Sequence, residues 1–116
     1  MERQLKVLET EGGRCPFEEW YRGLKDKQTR IRVLARLTRV QTGNMGDCKP
    51  VGQEVFELRL DFGPGYRIYF ARHRDVVIVL LAGGDKRAQQ KDIDAARSLW
   101  ESNKHAVERF QRDFRG

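Results

Sequence analysis

Seven consecutive apolar residues, Val76-Val77-Ile78-Val79-Leu80-Leu81-Ala82, lie between the polar stretch Arg72 to Asp75 and the pair Gly83-Gly84. A run this long with no polar interruption reads as an inner β-strand covered on both sides, because a solvated face would impose alternation. It is far too short to span a bilayer. Two alternating segments precede it. Val55 to Leu60 sets Phe56, Leu58 and Leu60 on one face and Glu57 and Arg59 on the other; Tyr66 to Ala71 sets Tyr66, Ile68 and Phe70 against Arg67 and Tyr69. Gly63-Pro64-Gly65 supplies the reversal between them. The three segments form an antiparallel meander.

Helical spacing flanks the meander. Pro16 suits a first helical turn, and Phe17, Trp20, Tyr21 and Leu24 follow at three- and four-residue steps. Asp26 reads as the N-cap of a second helix to about Gln41, with Val33, Leu34, Leu37 and Val40 as its buried stripe. Arg32, Arg36 and Arg39 gather on the opposite flank, as either a solvated face or a binding surface. Thr42 to Gly52, with three glycines, Asn44 and Pro50, reads as a loop. Gly83-Gly84 breaks the inner strand, and Asp85 to Ala88 leads into a helix with Gln89, Ile93, Ala96 and Trp100 on one stripe. Val107, Phe110 and Phe114 keep nearly the same phase, so the chain ends as one long helix or as a helix plus a docked tail. Gln4 to Thr10 is a weakly alternating N-terminal strand. The expected fold class is α+β: N-terminal strand, two helices, three-stranded antiparallel meander, C-terminal helix. The 116 residues fit one domain, with 102–116 a candidate C-terminal extension.

The 23 Lys plus Arg residues against 17 Asp plus Glu give a formal charge of +6. That surplus favours a polyanion: nucleic acid, anionic membrane or an acidic protein. Most of the cations are Arg, which suits bidentate contact with phosphate or carboxylate. Cys15 and Cys48 fit no metal spacing, and His73 and His105 share no ligand motif, so neither metal nor cofactor is expected. The start of the chain carries no signal-like apolar segment, and the two cysteines read as reduced thiols of a cytosolic, cytoplasmic protein.

The meander also groups side chains that carry chemistry. With Phe56, Leu58, Ile68 and Phe70 against the helices, Arg59, Arg67 and Tyr69 emerge together on the other face, and Lys86 and Arg87 reach the same rim. Guanidinium groups position phosphates and an aromatic ring stacks a base, so RNA fits this face. Alternatively, Glu57 pairs with Arg59 or Arg67 and leaves an ordinary solvated sheet.

Glu57-Leu58-Arg59, then Gly63-Pro64-Gly65-Tyr66-Arg67-Ile68-Tyr69-Phe70, then Leu80-Leu81-Ala82-Gly83-Gly84-Asp85-Lys86 resemble the HigB-like killer proteins of the RelE/ParE superfamily of type II toxins. The resemblance spans roughly Lys6 to Trp100 and includes Lys49-Pro50-Val51-Gly52. It implies a RelE/ParE-like toxin domain and a ribosome-dependent mRNA endoribonuclease needing no metal, in which the message's 2′-hydroxyl attacks the neighbouring phosphate. It also implies a helix-turn-helix antitoxin as partner in a toxin–antitoxin hetero-oligomer, with ribosome and mRNA as targets. Under it Arg67 contacts the scissile phosphate, Arg87 with Lys86 forms the basic pair after the last strand, and Arg59 and Lys86 add phosphate contacts. Tyr69 or Asp85 would orient or deprotonate the hydroxyl, unless Asp85 caps the last helix. Ile93 stands near the place of the RelE-type tyrosine, and His73 falls in a turn. That departure keeps a second reading open, a ParE-like inhibitor of DNA gyrase without nuclease activity.

Overall fold

The structure, a computed structural model, describes residues 2–106 and 111–114. Its apolar run lies near the middle of a six-stranded sheet. The elements are β1 (Gln4–Leu8), α1 (Pro16–Gly23), α2 (Lys27–Gln41), β2 (Cys48–Gly52), β3 (Val55–Arg59), β4 (Tyr66–His73), β5 (Val77–Asp85), α3 (Gln89–Asn103) and β6 (Gln111–Asp113). The strand order is β2-β3-β4-β5-β1-β6. Strands β2 to β5 run antiparallel, β1 lies parallel to β5, and β6 closes the far edge antiparallel to β1.

Both faces of β5 are covered, as its composition requires. Ile78 and Leu80 join Phe17, Tyr21, Val33, Leu37 and Val40 from α1 and α2, while Val77, Val79 and Leu81 join Ile93, Ala96 and Trp100 from α3. The same α3 covers the meander face that the alternation left open. That face is therefore not a solvated platform, and only its rim reaches solvent.

Asp26 caps α2, its carboxylate accepting from the Gln28 amide at 3.1 Å. Two loop expectations change. Cys48–Gly52, read as the end of a loop, is the edge strand β2, where Pro50 is tolerated because its missing N–H faces no further strand. Gly83-Gly84 does not break β5, which continues to Asp85. A Cβ on Gly83 would overlap the Trp20 indole, and one on Gly84 would overlap the Asp92 carboxylate. These glycines admit side chains onto the strand from both faces.

The chain end takes the docked-tail form. After α3 a short 3-10 turn, Lys104–Ala106, precedes the described part of the tail. There Phe114 packs edge-on against Phe17 and Tyr21, and Arg112 pairs with Glu9 and the buried Glu18. Val107 and Phe110 lie outside the described residues.

The turn joining β4 to β5 places Arg74 and Asp75 at φ of 55° and 57°, a left-handed conformation that suits glycine better. Asp75→Gly is expected to raise unfolding stability by about 1 kcal/mol in urea titration, since relief of the left-handed cost exceeds the added freedom of the unfolded chain.

Candidate functional site

At the centre of the α3-covered face is a carboxylate. Glu57 on β3 is completely buried. It accepts from the Tyr69 hydroxyl at 3.1 Å, from Gln89 Nε2 at 2.9 Å and from Arg59 Nε at 3.1 Å. Lys49 Nζ at 3.9 Å and Arg67 Nε at 4.0 Å complete the charge around it. Burial alone would raise its pKa, but the hydrogen bonds from Gln89, Arg59 and Tyr69 outweigh that and hold the carboxyl below its ordinary value. Register explains the gathering. Glu57 pairs with Tyr69 and Arg59 with Arg67 across β3 and β4, while Lys49 stands opposite Glu57 on β2.

Tyr69 does not emerge on an open face. It shares the Arg67 face, as alternation predicted, yet it is fully buried beneath α3 and cannot stack a base. Burial and the Glu57 charge push its hydroxyl well above the ordinary tyrosine pKa, so it serves as a hydrogen-bond donor to Glu57. Nor does the solvated-sheet alternative describe the face. Glu57 does pair with Arg59, but inside the fold.

The cations lie along the rim beside this anchor. The Arg67 side chain is 13% exposed, and its Nη1 donates to the Gly65 carbonyl at 3.1 Å. Gly65, at φ 79°, has no Cβ; one there would lie 3.2 Å from Lys86 Cδ and 3.5 Å from Arg67 Nη1. The Gly-Pro-Gly turn thus brings Lys86 and Arg67 to one spot. Arg87, 80% exposed in its side chain, is held by Asp85 at 2.8 Å. Asp85 also accepts from the Arg87 amide at 2.9 Å, capping the 3-10 turn Lys86–Ala88 that opens α3. These contacts keep its carboxyl below the ordinary aspartate value.

Asp92 was missed in the sequence. It sits on the first turn of α3 over Gly84, the residue paired with Arg67 across β4 and β5. Burial, with the Asp85 charge adding to it, raises its carboxyl above the ordinary aspartate value. The usable signal was the second glycine of the pair, which marks a close approach over a strand. Ile93 packs from α3 into the core, and His73 ends β4 opposite Val77, far along the strand from Arg67. Among the described residues, no group of three or more His, Cys, Asp and Glu side chains is placed to hold a metal, and no helix is long and apolar enough to cross a membrane.

The fold is similar to that of a solved structure, and the sequence has a relative. The solved structure is that of the E. coli toxin RelE, as an arginine-to-alanine double variant in the free state. That likeness has a TM-score of 0.62 and 18% identity and covers 84% of this chain and 96% of that one. The fold is therefore RelE-like. An uncharacterized protein of Haemophilus influenzae is 45% identical over 83 residues, 72% of this chain and 84% of that protein. The family described as phage derived protein Gp49-like (DUF891) matches residues 19–101, the span from α1 through α3 that builds the Glu57 anchor and its cationic rim, and the chain belongs to that family.

Proposed function

We propose that this protein is the toxin of a type II toxin–antitoxin system, of the HigB-like kind, and that it cleaves translated messenger RNA on the ribosome. The observation that carries the reading is the anchored rim. A buried carboxylate fixes Arg59 and faces Arg67, and a glycine turn brings Lys86 beside Arg67. Family membership and the RelE-like fold support it; the fold contributes by analogy alone.

The chemistry follows from what self-cleavage of RNA needs. A 2′-hydroxyl gives up its proton and attacks the adjacent phosphorus, the P–O5′ bond breaks, the 5′-oxygen leaves as a hydroxyl with a proton taken from water, and a 2′,3′-cyclic phosphate forms. Arg67 and Lys86 neutralise the charge that builds on the phosphorane oxygens, and Arg87 extends the same field. Asp92, whose carboxylate lies over Gly84 opposite Arg67 and whose pKa is raised, is the group we assign to accept the hydroxyl proton. Tyr69 acts through Glu57 as a positioning residue. The partners we assign are the translating ribosome in the cytoplasm and a helix-turn-helix antitoxin that silences the toxin in a hetero-oligomer.

Induced expression should arrest growth within a few doublings, and Asp92→Asn should relieve the arrest while leaving the purified protein folded. Growth unaffected by abundant wild-type protein would reject the reading. A gyrase-inhibitor reading is kept by one observation, the buried Ile93 where a RelE-type tyrosine would project. It predicts lost supercoiling by purified gyrase with messages left whole.

A further inference from the structure

A second group of cations lies on the other side of the β3–β4 turn. A cleft of about 440 Å³ opens between α2 and that turn, lined among others by Arg32, Arg36, Arg39, Asp47, Asp61 and Phe62. Arg36 forms its floor and is only 8% exposed. Its guanidinium donates to the carbonyls of Asn44, at 3.4 Å, and Met45, and it packs where a Cβ on Gly46 would stand. Among the described residues no carboxylate comes within ion-pair distance of it; Asp47 and Asp61 act on it only at longer range. A buried cation without a paired anion is costly. Arg32 and Arg39 on the rim are exposed and likewise unpaired by any described carboxylate.

Arg32, Arg36 and Arg39 carry three positive charges against two on Asp47 and Asp61, leaving one, which a single phosphodiester neutralises. Arg59 also lines the cleft, and it shares the single charge of Glu57 with Lys49 and Arg67, so the surplus is at least one. The Arg32 guanidinium lies 3.8 Å above the Phe62 ring, and Phe62 touches Tyr66 with ring centres 5.6 Å apart. Tyr66 adjoins Arg67. One turn therefore carries the cleft on one side and the Arg67–Lys86 pair on the other.

We propose that this cleft is a second phosphate site, which holds the backbone of single-stranded RNA at a nucleotide remote from the one at Arg67. The proposal rests on the nucleic-acid reading of the Arg67 rim and adds a distinct site to it. RNA is favoured over an acidic protein segment because a polynucleotide repeats its anion at every residue and so can occupy both sides of the turn at once. The Arg32 guanidinium over the Phe62 ring also offers a surface to a base.

The test uses a fluorescent 2′-O-methyl oligoribonucleotide of about 12 nucleotides, long enough for one such track and resistant to cleavage. Arg32→Ala with Arg39→Ala removes exposed side chains only, so the fold should survive, as circular dichroism would verify. The double variant is expected to bind about tenfold more weakly, with its log–log salt slope shallower by about 0.7, one phosphate on a single strand. Lys25→Ala with Lys104→Ala removes the same charge elsewhere and should shift affinity less than about twofold. Equal losses in both double variants, or an unchanged slope in the first, would overturn the site. Poly-glutamate that displaces the oligonucleotide from wild type and loses its hold in the Arg32/Arg39 variant would assign the cleft to an acidic protein and overturn it too. Since the probe cannot be cut, the outcome is independent of nuclease activity. Cleft binding without message cleavage would reject the nuclease and keep the site; message cleavage with an unaltered slope would do the reverse.

Discussion

Glu57→Ala is expected to cost about 3–5 kcal/mol of unfolding stability, the usual consequence of removing one member of a buried charged cluster. The Tyr69 hydroxyl, the Gln89 amide and the Arg59 guanidinium would lose their shared acceptor, and Lys49 and Arg67 their countercharge. Urea titration of the two proteins reads the difference directly, and a loss under about 1 kcal/mol would mean that Glu57 does not anchor the cluster. The same carboxylate sets an acid limb. Its folded pKa lies below the ordinary 4.5, so its contribution is complete above that value and fades as pH falls through the folded one. Glu57→Gln should flatten stability across that window.

Arg67→Ala is expected to lower message cleavage by about 10²–10³-fold, the range for removing one charge-stabilising group from a reacting centre. Folding should change by no more than about 1 kcal/mol, because Glu57 keeps its hydrogen bonds from Arg59, Tyr69 and Gln89. The contrast between the two variants separates anchor from catalyst: one is read mainly in stability, the other mainly in activity. An Arg67→Ala protein that still arrests growth and cuts messages at the wild-type rate would contradict the assignment of the rim.

Much of this architecture is legible in the residues. The apolar run identified β5 and its two covered faces, alternation set Arg59 and Arg67 on one side of the meander, and Asp26 marked the start of α2. Three features escaped for physical reasons. The edge strand β2 hides behind Pro50 and Gly52, residues that usually punctuate loops but are tolerated where one side of a strand pairs with nothing. Gly83 and Gly84 read as a break because composition does not reveal Trp20 and Asp92 lying over them. The covering of Glu57 and Tyr69 was the hardest to see. Polar residues on alternate positions normally signal solvent, yet these two satisfy each other inside the fold. Arg36 misleads in the same way, its charge buried against backbone carbonyls.

The central claim is that the anchored rim cuts messenger RNA, and mapping RNA 5′ ends genome-wide after brief induction tests it most directly. New 5′ ends are expected inside translated reading frames with wild-type protein, and none with Arg67→Ala. Growth arrest with every message intact, or the same cuts in the Arg67→Ala strain, would contradict it.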